Sequence, residues 1–193
     1  MPPDHVAAEP PETGRLLHEP NAFWRFSLET YRLPGVEAAF LALQDRCGTD
    51  TNLLLYCCWL GSLGRALDRR MLRRSMATVA RWQADVILPL RRARRALKAA
   101  AQELPAGWAV DLRKRIGAAE LDMEYLEQCA LFALAPNPAT AARAQPPRAA
   151  AQASIERYLA LMAVPTTAPE RQHVGTLLDA CFAAQSAARR GPA

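Results

Sequence analysis

Apolar positions along the chain recur at spacings of three and four, and runs alternating with a period of two are missing. That pattern predicts helices and no strands. The first helix is expected in "PNAFWRFSLETYRL" (20–33), with Asn21 as its N-cap and Trp24, Leu28 and Tyr31 on one stripe beside Phe23. "LPG" at 33–35 ends it. Val36, Phe40, Leu43 and Cys47 then form the stripe of a second helix, closed by Gly48 as a C-cap.

The next stretch, "GTDTNLLLYCCWLG" (48–61), breaks the periodicity. Leu53 to Leu60 are all apolar, aromatic or cysteine, and at 100° per residue eight such positions cover every face of a helix. A helix apolar all round is a buried one. Asp50 is its expected N-cap, and Gly61 and Gly64 are expected to loosen its end. As a helix the run rises only about 12 Å, too short for the ~30 Å core of a bilayer.

A long segment over 66–103 follows, with Pro89 inside it to kink or divide it. Leu72, Met76, Val79, Val86, Leu90 and Leu97 fall on its apolar stripe. A helix over 107–135 is predicted to turn Leu121, Tyr125, Cys129 and Phe132 inward, with Glu120, Glu124 and Glu127 opposite. Two more helices fit 148–163 and 168–186. The fold expected is all-α, a compact bundle of six to seven helices around a buried central helix near 51–60. One domain spans 20–188, with a Pro/Ala-rich linker near 136–148, between a disordered lead-in (1–19) and a frayed tail (189–193).

Charge changes this picture. The formal net charge of +5 is not diffuse. Residues 1–60 carry −4, residues 65–98 carry +9, and residues 99–193 sum to zero. Arg69, Arg70, Arg73, Arg74, Arg81, Arg91, Arg92, Arg94, Arg95 and Lys98 spread over the polar side of the 66–103 helix. Such a ridge suits an acidic protein partner, with nucleic-acid phosphates and anionic lipid behind it. Lys98 and Lys114 are the only lysines, so the choice of arginine here says little about phosphate recognition. The acids at 120–127 offer the ridge an internal partner as well.

Little else points to chemistry. Five cysteines, an odd number including adjacent Cys57 and Cys58, read as reduced core residues of a cytoplasmic protein. The acid- and proline-bearing N-terminus does not resemble a secretory signal, and no membrane span is expected. His5, His18 and His173 are scattered and no C-x₂-C pair occurs, so no metal or cofactor is expected. No nucleophile elbow, phosphate loop or dinucleotide fingerprint is found, so no catalytic residue is assigned. The polar turn of Gln44, Asp45, Asp50 and Asn52 is the one group able to line a small pocket, with Trp24 and Trp59 as possible neighbours; capping explains it more simply.

The stretch "FWRFSLETYRLPGVEAAFLALQDRCGTDTNLLLYCCWLG" (23–61) resembles a family of proteobacterial proteins of unknown function, through "FWRFSLETY", "PGVEAAFLALQD" and "GTDTNLLLYCCWL". The resemblance implies a bacterial, cytoplasmic, all-helical protein and supplies no catalytic residues. The leading expectation is a non-enzymatic interaction or regulatory protein that meets an acidic partner through the ridge, in an unspecified oligomeric state. The alternative is a small-ligand-binding protein or helical enzyme using the turn at 44–52.

Overall fold

The structure, a computed structural model, describes residues 21–99, 107–136, 145–165 and 167–189. The expected lead-in, most of the expected linker and the tail beyond 189 lie outside those residues. The described chain is all-helical: α1 Ala22–Tyr31, α2 Val36–Cys47, α3 Thr51–Ser62, α4 Arg69–Trp82, α5 Leu88–Ala99, α6 Trp108–Ala133, α7 Pro147–Leu161 and α8 Ala168–Arg189. The last expected linker residues, Pro147 and Arg148, form the first turn of α7.

Helix boundaries follow from capping. The side chain of Asn21 accepts the Trp24 N–H at 2.9 Å, and that of Asp50 accepts the Leu53 N–H at 2.9 Å. Each satisfies one amide at a helix start that has no intrahelical partner. Gly48 closes α2 in the left-handed region (φ +64°), and its N–H donates to the Gln44 carbonyl. The chain thus turns sharply from α2 into the head of α3.

α3 is the buried centre. Asn52 through Gly61 are all buried, and Phe23 of α1 stacks on Trp59 at 5.2 Å. α3 packs most closely on α7. Gly61 does not loosen its end as expected: a Cβ built there would lie 2.4 Å from the Cβ of Ala151 and 2.7 Å from its Cα. The missing side chain lets the two backbones approach, so this glycine is a packing residue.

Two further expectations are met only in part. Of the two outcomes expected at Pro89, a kink or a division, the chain shows a change of winding without a gap. A π-turn over Gln83–Ile87 carries α4 directly into α5, and Leu88 donates its N–H to the Gln83 carbonyl five residues back. In an unbroken α-helix the Pro89 ring would collide with the Asp85 carbonyl, and a wider turn relieves that contact.

The inward face of α6 is only in part the expected one: Tyr125 is buried against Trp24 and Cys129 is half-buried, as expected, but other positions differ. Leu121 is 46% exposed and Phe132 38%, whereas Glu120 is 6% exposed and Glu127 fully buried. Leu131 and Ala109 are buried on the same helix. The acids turn inward because α5, α3 and the π-turn bring them polar partners.

Candidate functional site

The head of α3 carries the site. Asp50 caps the helix with Oδ1, and its Oδ2 accepts a hydrogen bond from Gln83 Nε2 at 2.8 Å. Gln83 opens the π-turn, and the same nitrogen lies 3.3 Å from Glu127 Oε2. One amide therefore bridges two carboxyl groups. Asn52 Nδ2 donates to Glu127 Oε2 at 2.6 Å, and Asn52 Oδ1 accepts from Gln128 Nε2 at 2.8 Å. Gln128 Oε1 in turn accepts from Ser27 Oγ at 2.9 Å. On the other side, the Asp50 N–H donates to Tyr158 Oη at 2.9 Å. Gln83 and Tyr158 thus bond to Asp50 directly, and Glu127, Asn52, Gln128 and Ser27 extend the network behind Gln83.

Burial of two carboxyls so close together is costly unless one holds a proton. Burial pushes Glu127 up, and the neighbouring Asp50 pushes it further, to about 8 against the hydrogen bonds from Asn52 and Gln83. Burial also raises Asp50, to about 6, opposed by its hydrogen bond from Leu53 and by nearby Arg91. Both carboxyls are pushed towards the protonated form, the fully buried Glu127 more strongly than Asp50. Such a pair can take up or release a proton near neutrality.

Above this network opens a cleft of about 870 Å³, walled by α1, α2, the α3 head, α4, α5 and α6. Asp50, Asn52 and Gln83 line its floor. Leu28, Tyr31, Leu41, Leu88 and Leu121, all large apolar residues left exposed, line its sides. Trp24 and Thr49 stand in the wall with their Nε1 and Oγ1 buried and without a hydrogen-bond partner among the described residues. Buried polar atoms are nearly always paired in a folded protein, so these two are groups a bound molecule could satisfy.

Of the residues expected at the polar turn, Gln44, Asp50 and Asn52 line the cleft. Asp45 does not; it is exposed on the outer side of α2. Trp24 lines the cleft as envisaged, whereas Trp59 lies in the core against Phe23. The basic ridge separates into two parts. Arg69, Arg70, Arg73, Arg74 and Arg81 are exposed on α4, and none forms an ion pair among the described residues. Arg91 donates to Glu124 at 2.6 Å and Arg94 to Glu120 at 2.6 Å, so the internal pairing considered for the ridge occurs on α5. Arg95 and Lys98 are exposed there without such partners among the described residues. Glu127 takes no arginine.

Sequence reasoning missed Gln83, Glu127, Gln128, Ser27 and Tyr158 as parts of one network. One signal was present. Gln83 falls on the apolar stripe between Val79 and Val86, and a polar residue on a buried stripe needs a buried partner.

Cys57 and Cys58 are both buried in α3. All five cysteines are free, and burial raises the Cys57 thiol. Among the described residues no group of three or more His, Cys, Asp or Glu is placed to hold a metal ion, and no helix is long and apolar enough to cross a membrane.

Fold and site together define an all-helical bundle with a polar-floored cleft at the head of its central helix. The chain belongs to a family described as proteins of unknown function (DUF2390), which it matches over residues 22–131, more than half its length. No curated protein and no solved structure matches it. The family match takes in every element of the cleft except Tyr158 and Met162 of the α7 region.

Proposed function

We propose that the protein binds a small organic molecule in the cleft above Asp50, Asn52 and Gln83. The observation that carries this reading is the Gln83 amide, presented by a π-turn and shared between the buried Glu127 carboxyl and the half-buried Asp50 carboxyl beneath an open cleft. Turns of this kind cost helical hydrogen bonding and occur often at functional sites. A bundle that needed only stability would keep a capping residue at 50 but place apolar side chains at 83 and 127. Asp50, as the member lining the cleft, accepts a hydrogen bond from the ligand, and Glu127 behind it holds the proton that keeps the pair tolerable.

Equilibrium ultrafiltration of the protein against a host metabolite extract, read by mass spectrometry, tests this. Wild type should enrich a compound that Leu121→Trp, which fills the cleft, fails to enrich. Equal enrichment by both, or none by either, overturns it. Asp50→Asn keeps an N-cap acceptor and should weaken the same compound.

A second reading rests on α4. Five exposed arginines with no ion pair among the described residues support docking of an acidic protein partner there. Arg73→Glu with Arg74→Glu should abolish capture of such a partner, in the presence of nuclease, without loss of fold. We further propose a bacterial, cytoplasmic protein, on the resemblance over 23–61 alone.

A further inference from the structure

The wall of the cleft says more about the ligand than its floor. Arg91 and Arg95 are spaced i, i+4 on α5, and both line the cleft, so their guanidinium groups stand on one side of its mouth. Arg91 uses one nitrogen, Nη2, on Glu124, and a guanidinium has five N–H donors. Arg95 makes no hydrogen bond or ion pair among the described residues. Leu28, Leu88 and Leu121 line the same cleft, each more than a third exposed. Exposed leucines gathered in one cleft rather than scattered mark a surface that binds apolar matter.

We propose that the ligand is an amphiphilic organic anion, its carboxylate or phosphate held between Arg91 and Arg95 and its apolar body laid on Leu28, Leu88 and Leu121. This rests on the cleft reading above and adds the sign of the head group and the character of the body. Two guanidinium groups with free donors match either anion bidentately. Burying the leucines supplies affinity that an inorganic ion lacks. A cationic amphiphile would meet the same two arginines and be repelled.

Isothermal titration of octanoate, octyl phosphate, octylamine, octanol and inorganic phosphate tests the proposal on the full chain. One or both octyl anions should bind wild type, and which of them binds better decides between carboxylate and phosphate. Arg95→Glu should weaken that binding about tenfold or more, the loss of a charged hydrogen bond. Arg92→Glu, which makes the same charge change on the same helix away from the cleft lining, should leave it unchanged. Both sites are exposed, so circular dichroism should show the fold intact in each. Octylamine or octanol binding as tightly as the octyl anions would overturn the anion selectivity and leave the cleft reading standing. Inorganic phosphate matching octyl phosphate would overturn the apolar body. Anion binding that survives Leu121→Trp would place the site elsewhere, and both readings would fall. If none of the five binds, this proposal fails, while enrichment from the metabolite extract independently judges the cleft.

Discussion

α4 and α5 are two halves of one helix with nearly the same composition, and the fold uses them in opposite ways. α4 buries Leu72, Ser75 and Val79 and leaves five arginines in solvent. α5 buries no residue at all, and two of its arginines close onto acids of α6. Composition therefore does not decide the fate of a basic helix; the neighbour does. α4 packs on α6, α7 and α3 through Leu72, Ser75 and Val79, and none of its arginines forms an ion pair among the described residues. α5 runs along α6, and Glu120 and Glu124 of that helix pair with Arg94 and Arg91 beside the cleft. The π-turn between them separates a ridge facing outward from a wall facing a cavity.

The largest expected effect concerns that junction. Glu127 holds its proton more tightly folded, to about pH 8, than at its ordinary value of 4.5. Between those two values the native state binds more protons than the unfolded one, so stability is fully present below pH 4.5 and declines as pH rises towards 8. One such proton gives a slope of at most about 1.4 kcal/mol per pH unit. Asp50, raised to about 6, adds to the decline with the same sign. Denaturant titrations of wild type from pH 5 to pH 8 should lose a few kcal/mol in total. Glu127→Gln keeps an acceptor for Asn52 and removes the charge, so most of the slope should vanish. A wild-type stability rising over that range would show that the two carboxyls are both ionised in the folded state.

The comparison of the two halves can be broken directly by charge reversal. Arg94→Glu strands the buried Glu120 carboxylate and sets a like charge beside it, so it should cost about 2 kcal/mol or more. Arg74→Glu on α4 meets no partner among the described residues and should stay within about 0.5 kcal/mol. Equal costs for the two, measured by urea unfolding, would mean that the α5–α6 pairs contribute no more than surface charge does.

How much of this was legible depended on whether one residue's neighbours could be read from its own helix. The burial of α3 was, since eight apolar residues in sequence leave no polar face. The caps at Asn21 and Asp50 were legible because capping is local. The inward face of α6 was legible only in part: Tyr125 is buried as its stripe implied, but the burial of Glu120 and Glu127 depends on Arg94, Asn52 and Gln83 arriving from elsewhere in the chain. Asp50 was read as a cap, which it is. Its second oxygen, bonded to Gln83, is the functional half, and it depends on a residue 33 positions away.

The smallest expected effect asks which comes first, the proline or the turn. If Pro89 alone imposes the π-turn, Pro89→Ala should let the helix return to its ordinary winding and gain towards ~3 kcal/mol, the usual penalty of an interior proline. Gln83 would then rotate away from Asp50 and Glu127. If the Gln83 bonds to the two carboxyls hold the turn, alanine should change stability by less than about 1 kcal/mol, because the turn has already relieved the clash of the ring. The second outcome is expected, since Gln83 makes a hydrogen bond of 2.8 Å to Asp50 and its loss would leave the two carboxyls without their shared donor. Pairing Pro89→Ala with Gln83→Leu separates the cases. Additive costs would mean that proline and glutamine act independently, whereas a gain from Pro89→Ala only in the Gln83→Leu background would show that the polar floor of the cleft, and not the proline, keeps the helix wound wide.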